Sequence, residues 1–391
     1  MSPEAGLYVH VPFCSSLCPY CDFAVNVGTE ARRARYVELL LTEISLRGRP
    51  EAPLDRFDTL YFGGGTPSSL SVSGLGRIVE AISRNGWLAS GCGIFLEANP
   101  EDASDSSLAG WRAAGISTLS LGVQSLDPES LRFLGRRHRA EEAARAVTRA
   151  REAGFETVSV DLIYGLPGQT EERLRRDLEA AVALGPDHLS CYQLTVHEKS
   201  LFGRRKREGR LEEASEAAQS ALFRITHRVL ESAGYEAYEV SNFARSPEHR
   251  SRHNEKYWTH SPYLGLGPGA HSFDGRARAW NERSFFDWER RLRRGEIPIA
   301  GGEELGDEAL LLETVMLRLR TREGLDLEQV SRRFGVDLFH LNRALIERGL
   351  EDALLVREGS WIRPTLEGLA VADGLASSFR LSPDRWQATR P

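Results

Sequence analysis

The first two thirds of the chain alternate between two kinds of hydrophobic pattern. Short runs in which apolar and polar residues alternate predict β-strands, and longer stretches with apolar residues at helical spacing predict helices. The repeated order of strand, loop and helix predicts an α/β domain with a parallel sheet and right-handed crossovers. The predicted strands are residues 8–11, 59–62, 93–98, 118–123, 157–165, 188–194 and 235–241, and the clearest helices are residues 30–46, 140–153, 170–184 and 211–232.

The pattern changes towards the C-terminus. A segment with Pro and Gly at residues 297–302 predicts a linker, and the basic run at residues 203–209 predicts a solvated surface turn. Beyond the linker, helices followed by short strands and a last helix predict a small winged-helix-like α+β domain. These helices are expected at residues 308–317, 327–334, 338–348 and 365–375, with strands within 354–364. The predicted domains are residues 1–245, a pocket-completing segment and linker at 246–300, and residues 301–391.

Composition and charge limit the possible functions. The chain has 391 residues, 41% of them hydrophobic and 27% charged, which suits one large globular domain and a small one. The net charge of −6, and 12 Arg and no Lys against 16 Asp plus Glu in residues 301–391, disfavour nucleic acid as a partner. The chain has no uninterrupted apolar run of about 18 residues, so no transmembrane helix is predicted. We find no signal peptide, so we expect a cytoplasmic protein.

Three of the five cysteines lie close together near the N-terminus. Cys14, Cys18 and Cys21 have the spacing Cys-x3-Cys-x2-Cys and directly follow the first predicted strand. A four-iron cluster takes one thiolate per iron, so three cysteines would leave one iron open for another ligand. A structural zinc site usually has four protein ligands and would need a second pair of them, which the chain does not show. The spacing favours an iron–sulfur cluster, with zinc or a chance cluster of cysteines as alternatives, and Cys92 and Cys191 are expected to be buried.

Polar residues and glycines follow several predicted strands. A glycine cluster comes directly after residues 59–62, where the absence of Cβ atoms would let a ligand approach the backbone. Carboxylates can accept hydrogen bonds from hydroxyl or ammonium groups, and Arg can hold a carboxylate with two bonds. Each residue alone could be a solvated loop residue, but together they predict a ligand site at the carboxyl ends of the strands. The polar residues are Glu97, Gln124, Arg136 and Asp161.

The cysteine loop resembles that of radical S-adenosylmethionine (SAM) proteins, and its sequence is YVHVPFCSSLCPYCDF (residues 8–23). The resemblance implies an α/β fold, an incomplete parallel (β/α)6 radical-SAM barrel, with a [4Fe-4S] cluster and SAM at the carboxyl ends of the strands. In these proteins SAM occupies the open iron. By the same resemblance, the residues in contact with SAM are Tyr8, Tyr20, Gly64, Gly65, Thr66, Glu97, Gln124, Arg136, Asp161 and His271, and those that ligate the metal are Cys14, Cys18 and Cys21.

A narrower resemblance is to the coproporphyrinogen-dehydrogenase-like branch. The dehydrogenases have a further cysteine where this chain has Phe23, and residues 253–258 resemble the HNxxYW motif of the heme chaperones in that branch. An imidazole can ligate heme iron and aromatic rings can pack on a porphyrin, so the motif implies heme contact by His253, Tyr257 and Trp258. The implied partners are heme and heme-requiring acceptor proteins at the membrane.

Two other functions stay open at this point. One is the oxygen-independent coproporphyrinogen III dehydrogenase, in which a 5′-deoxyadenosyl radical from SAM takes hydrogen from propionate chains before decarboxylation. The other is an interaction module stabilised by zinc. The presence of Phe23 and of the HNxxYW motif favours the heme chaperone over both.

Overall fold

The computed structural model describes residues 5–22, 25–48 and 50–381. Phe23, at the position where the resemblance places a cysteine in the dehydrogenases, lies outside the described residues. Among the helices of the described ranges, none is long and apolar enough to cross a bilayer.

The strands have the following bounds. They are β1 (Ala5–Val11), β2 (Phe13–Cys14), β3 (Asn26–Val27), β4 (Phe57–Gly64), β5 (Leu88–Ala98), β6 (Thr118–Gln124), β7 (Thr157–Tyr164), β8 (His188–Gln193), β9 (Glu236–Ala237), β10 (Asn242–Ala244), β11 (Tyr263–Leu266), β12 (His271–Phe273), β13 (Ala277–Asn281), β14 (Ile299–Glu304), β15 (Leu325–Asp326), β16 (Leu355–Glu358) and β17 (Trp361–Pro364).

The helices have the following bounds. They are α1 (Glu30–Arg47), α2 (Val72–Arg84), α3 (Asp105–Ala113), α4 (Pro128–Phe133), α5 (Ala140–Glu152), α6 (Glu171–Ala183), α7 (Leu201–Arg207), α8 (Glu216–Ser232), α9 (Arg252–Trp258), α10 (Phe285–Arg293), α11 (Asp307–Arg318), α12 (Leu327–Phe334), α13 (Leu338–Leu341), α14 (Arg343–Glu351), α15 (Leu366–Ala370) and α16 (Ala372–Ser377).

A 12-stranded mixed sheet forms the large domain, in the order β14-β13-β12-β11-β1-β4-β5-β6-β7-β8-β10-β9. Its centre, from β11 to β8, is parallel, and the strands added at both edges are antiparallel. The units that begin with β1 and with β4 to β8 are the six predicted β/α repeats, so the expected incomplete (β/α)6 barrel is confirmed. Its sheet is mixed, because antiparallel strands extend both of its edges.

The hydrophobic core lies between this sheet and its helices. Every second residue of each central strand faces the helices and is buried, as Leu7, Val9 and Val11 of β1 show. The same alternation in β6 and β7 buries Leu119 and Val160. Each fully buried side chain of this kind contributes about 1.5–3 kcal/mol to folding. The other face of each strand is therefore left to line the inside of the barrel.

Helix α1 shows how local sequence sets an element's ends. The Thr29 hydroxyl accepts a hydrogen bond from the Arg32 backbone N–H, which caps the first turn. Gly48 ends the helix in a conformation with φ of 58°, which a glycine adopts without strain. The predicted helix at residues 30–46 is therefore confirmed almost to the residue.

Three predictions about the second half of the chain are wrong. The basic run at residues 203–209 is mostly helical, because Ser200 caps α7 and Phe202 anchors it in a small core. Within the predicted strand at residues 235–241 only β9 (Glu236–Ala237) forms, and β10 begins after it at Asn242. Between the two strands the buried Glu239 carboxylate accepts hydrogen bonds from the Ser241 N–H and the Asn242 amide, in place of strand pairing. Residues 299–302 of the predicted linker belong to β14, which pairs with β13 at the edge of the sheet.

The C-terminal unit matches the predicted winged-helix-like domain. Its helices surround a second core that includes Val315 and Ile346, and β16 and β17 form an antiparallel hairpin. The unit packs against α8 and α9, where Arg224 pairs with Glu367. It lies against the outside of the barrel, and none of its residues up to 381 lines the cavity described below.

A buried carboxylate joins the N-terminal helix to the far edge of the sheet. Glu43 of α1 is 0% exposed and accepts hydrogen bonds from Arg47, the Asn281 amide, the Trp288 indole N–H and the Gly267 backbone N–H, at 2.8–3.1 Å. Each acceptor position of the carboxylate is used, so the charge is compensated in the core. This network holds the turn at residues 265–270 against β1.

We expect Glu43→Ala to lower the free energy of unfolding by about 3–5 kcal/mol, because Arg47 would then be buried without its partner. Glu38→Ala on the same helix is the matched control, since Glu38 pairs with Arg77 on the surface and its removal should cost about 0–1 kcal/mol. Urea unfolding of both variants measures the difference. Equal losses in the two variants would contradict the role given to Glu43.

Candidate functional site

The cysteine loop connects β1 to α1 at the carboxyl ends of the strands. Its two ends are tied together, because the Asn26 N–H donates to the Pro12 carbonyl at 2.8 Å and the Gly28 N–H donates to Cys14. Cys14, Cys18 and Cys21 form no disulfide among the described residues, and all three line one cavity. Burial raises the pKa of Cys14 to about 11, against a hydrogen bond with Thr66 that lowers it.

Helix α7 supports the loop between its second and third cysteines. The Phe202 N–H donates to the Pro19 carbonyl at 2.9 Å, and the Phe202 ring packs against Tyr20 and Phe133. On the other side, Pro19 packs so closely on Gly135 that a Cβ there would lie 2.9 Å from the proline ring. The position of the cysteines is therefore set by contacts from two later parts of the chain.

The glycine turn after β4 packs against β1. A Cβ on Gly65 would lie 2.6 Å from the Phe13 carbonyl oxygen, and Gly64 has φ of 111°, in the region that favours glycine. The Gly65 and Thr66 N–H groups donate to the carbonyls of Val11 and Phe13. Sequence reasoning expected these glycines to admit a ligand, whereas the structure shows that they also admit the neighbouring strand.

A cavity of about 740 Å³ runs inside the barrel. At the carboxyl ends of the strands it is lined by the three cysteines and by most of the residues that the resemblance assigned to SAM. The predicted residues that line it are Cys14, Cys18, Tyr20, Cys21, Gly64, Gly65, Thr66, Glu97, Gln124, Arg136 and Asp161.

Strand register brings polar side chains into rows across the cavity wall. Glu97, Ser120, Ser159 and His188 are register partners on four successive strands, β5 to β8. Barrel interiors are usually filled by packed apolar side chains. In this row the inward side chains are polar, and the cavity they line leaves room for a ligand.

Two carboxylates in the cavity have perturbed pKa values. Glu97 accepts hydrogen bonds from the Tyr61 hydroxyl at 2.8 Å and from the Gly64 N–H at 3.2 Å, and Asp161 accepts from Ser120 at 2.9 Å. Burial raises the pKa of Glu97 to about 7 and that of Asp161 to about 6, in spite of these bonds. Both groups would be stabilised in their charged form by a cationic ligand.

Arg136 lies beside the cysteines. One guanidinium nitrogen donates to Asn99 Oδ1 at 2.6 Å and to the Gly122 carbonyl at 2.9 Å, and another lies 3.6 Å from Cys18 Sγ. Its Nε is buried and has no hydrogen-bond partner among the described residues. Close by, Gln124 ends β6 with φ of 66°, a strained conformation for a residue other than glycine.

The structure does not bring every predicted site residue to the cavity. Tyr8 is on the inner side of β1, but its hydroxyl bonds to His10 and its ring stacks on Tyr61, outside the cavity lining. His271 is exposed on β12, where its ring packs near Trp280.

The three residues predicted to contact heme also lie outside the cavity lining. His253 is 1% exposed, and its ring nitrogens lie 3.0 Å from Thr59 Oγ1 and 3.1 Å from the Tyr257 hydroxyl. Burial, helped by the charge of Lys256, lowers the pKa of His253 to about 3. Both nitrogens are therefore engaged, and in this conformation His253 is not available as an iron ligand.

Sequence reasoning missed most of the residues that line the cavity. The signal was present, because the missed residues occupy alternate, inward positions of strands that were predicted correctly. The segment after β10 could not be found in this way, because it reaches the cavity through a turn. The missed residues include Tyr61, Asn99, Ser120, Thr157, Ser159, His188, Ser190, Tyr192, His249 and Asn254.

The residues at the carboxyl end fit the cofactors that the resemblance implies. Three cysteines line one cavity, and hydrogen-bond acceptors and an arginine with an unused N–H lie beside them. Thiolates are the ligands of iron–sulfur clusters. Cys14, Cys18 and Cys21 would hold the cluster, and Glu97, Asp161 and Arg136 would hold the polar groups of SAM.

Comparisons with known proteins agree with this geometry. The radical SAM superfamily model matches residues 8–181, and the HemN C-terminal domain model matches residues 305–371. The structure of coproporphyrinogen III oxidase (HemN) from Escherichia coli superposes with a TM-score of 0.82, at 24% identity, over 96% of this chain and 90% of that one. Fold and domain order thus define a radical SAM protein of the HemN-like branch.

Relatives of higher identity make the assignment narrower. Heme chaperone HemW of Mycobacterium tuberculosis is 37% identical over 96% of this chain and 94% of its own length. Heme chaperone HemW of Bacillus subtilis is 31% identical over 95% of this chain and 98% of its own length. A mouse protein named radical S-adenosyl methionine domain-containing protein 1, mitochondrial, is 34% identical over 96% of this chain and 87% of its own length. The chain belongs to the HemW family.

We expect Cys14→Ala, Cys18→Ala and Cys21→Ala each to abolish a reconstituted four-iron cluster, because each removes one of only three protein ligands. Cys92→Ala and Cys191→Ala should retain the cluster, since Cys191 is buried in the core and Cys92 lies outside the cavity lining. Iron and sulfide analysis with the visible spectrum measures this. A wild-type spectrum in any variant of the first group would contradict the assignment.

The raised pKa of Glu97 predicts a pH dependence of stability. With a pKa of about 7, the Glu97 carboxyl binds its proton more tightly in the folded protein than in the unfolded chain. Its contribution to the free energy of unfolding is therefore full below pH 4.5 and is lost as the pH rises through 7. We therefore expect Glu97→Gln, relative to wild type, to gain about 1–3 kcal/mol in free energy of unfolding between pH 5 and pH 8. Denaturant unfolding without SAM, repeated across this pH range, measures the difference. If the free energies of unfolding of the two proteins depend on pH in the same way, the raised pKa of Glu97 is refuted.

Proposed function

We propose that the protein is a heme chaperone that carries a SAM-ligated [4Fe-4S] cluster, binds heme and transfers it to heme-requiring acceptor proteins. The observation that carries this proposal is similarity along nearly the whole chain, at 31–37% identity, to proteins named heme chaperone HemW. The cavity that joins the cysteine loop to the interior of the barrel supports it. Membrane heme enzymes as acceptors, and the cytoplasm as the compartment, belong to the same proposal.

The residues of the cavity have separate roles in this proposal. The cysteines ligate the cluster, and the carboxylates of Glu97 and Asp161 accept hydrogen bonds from SAM. Arg136, whose guanidinium is already positioned by Asn99 and Gly122, pairs with the carboxylate of SAM. Its closeness to Cys18 would keep cluster and SAM in contact at one point of the cavity.

Coproporphyrinogen III oxidation is the less favoured function. The oxidase from Escherichia coli shares the fold with this chain, but at 24% identity that likeness concerns the fold alone. Every HemW relative named above has a higher identity. At the position where the dehydrogenases of the resembling branch have a cysteine after the cluster motif, this chain has Phe23.

We expect protein with a reconstituted cluster to bind hemin saturably at one per chain, and to leave coproporphyrinogen III unchanged in the presence of SAM and a strong reductant. Anaerobic hemin titration and product analysis of the porphyrinogen, run on the same preparation, provide the test. Decarboxylated product formed over many turnovers, without saturable hemin binding, would replace the chaperone with the dehydrogenase.

A further inference from the structure

The cavity has a second end that the cysteines do not reach. Its lining continues to the amino ends of the strands, where Ser117 and Thr157 contribute, and on to the segment before and at the start of α9. Exposed side chains of Glu156, Glu248 and Arg252 border it there. The cavity therefore opens to solvent on the side of the barrel opposite to the cysteine loop.

His249 stands at this second opening. It ends a short 3₁₀ turn (Pro247–His249), is half-buried, and lies in the cavity lining. Its Nδ1 is 2.9 Å from Thr157 Oγ1, and its Nε2 has no hydrogen-bond partner among the described residues. A metal bound at Nε2 selects the tautomer in which Nδ1–H donates to Thr157, a common arrangement for histidine ligands.

The other histidines near this opening are committed to the structure. His188 lies between Ser159 at 2.8 Å and the Tyr238 hydroxyl at 2.8 Å, so both of its ring nitrogens are used. His253, three residues after the 3₁₀ turn and its cap, is bonded through both nitrogens as described above. Of these three imidazoles, His249 presents a nitrogen to the cavity.

An aromatic wall faces the same part of the cavity. Phe95 and Tyr61 line it, their rings are stacked at 5.7 Å, and His253 stacks behind Tyr61 at 5.0 Å. Phe95 and Thr157 are in register across β5, β6 and β7, two strand spacings apart, which is roughly 10 Å. This wall offers a flat aromatic surface on which a macrocycle would pack, and His253 would then act as the support of the wall.

The rim supplies charges of both signs. Arg252 is 47% exposed, and one of its nitrogens donates to the Asp58 carbonyl at 2.7 Å, which fixes the guanidinium at the edge of the opening. Glu156 and Glu248 are also at the rim, so carboxylates of a ligand would be held on the Arg252 side. A ligand seated here would keep one edge in solvent.

From this geometry we infer that the opening at the amino ends of the strands is the site for an iron porphyrin, with His249 Nε2 as the iron ligand and Arg252 facing the carboxylates. The inference rests on the proposed function, because it locates the heme that the chaperone would carry. It moves the ligand from His253 of the HNxxYW motif to a histidine four residues earlier. It also separates the porphyrin from the cluster by the length of the barrel.

The test is an anaerobic hemin titration of the full chain with its cluster in place, so that the cysteines do not compete as thiolate ligands. We expect His249→Ala to lose about tenfold or more in affinity and to change the absorption spectrum of the bound heme. His253→Ala should keep the imidazole-type spectrum, and His340→Ala, exposed in the C-terminal unit, is the matched control. Imidazole added to His249→Gly should restore the wild-type spectrum.

The outcomes separate the two proposals. Saturable hemin binding that is unchanged in affinity and spectrum by His249→Ala would overturn the site and leave the chaperone function standing. Loss of the imidazole-type spectrum in His253→Ala alone would also overturn the site and return the ligand to the motif. Absence of saturable hemin binding in the wild-type protein would overturn both proposals.

Discussion

The two-sidedness of the central strands is the constraint on which the rest of this structure depends. The parallel strands β1 and β4 to β8 turn apolar residues towards the helices, and burial of that face provides most of the stability. Because the outer face supplies the core, the inner face is free to carry Ser, Thr, Glu, Asp and His. A barrel that packed its interior with Leu and Val would have no room for a ligand.

This arrangement explains why the polar residues of the cavity have unusual electrostatics. Glu97 and Asp161 are surrounded by protein on most sides, which raises their pKa values, yet each has donors that hold it in place. Such groups respond to a cation much more strongly than exposed carboxylates do. The site is thus preorganised for a charged ligand before one binds.

Much of the fold can be predicted from short-range sequence patterns, and the elements that were predicted wrongly have physical causes. The alternation in residues 118–123 and the Thr29 cap of α1 are local, so the sequence alone predicts β6 and α1. The edge strand β14 depends on pairing with β13, and α7 depends on Phe202 reaching Pro19, and neither contact is visible in a local window. Contacts between distant segments decided these elements.

The same distinction applies to the site. Cysteine spacing and strand-end carboxylates predict one end of the cavity, and eight of the ten residues assigned to SAM lie there. The assignment of those contacts stays a prediction. The motif at residues 253–258 suggested a ligand at His253, but only the folded chain shows that Thr59 and Tyr257 occupy its nitrogens. Hydrogen-bond saturation cannot be seen in a motif.

The central claim is that one cavity connects a cysteine end to a histidine end, each with its own iron. Anomalous diffraction at the iron edge, from crystals of protein with its cluster and hemin, tests this most directly. The account predicts two separate iron positions, one beside Cys14, Cys18 and Cys21 and the other beside His249, at opposite ends of the barrel. Heme iron beside the cysteines, or next to His253, would contradict it.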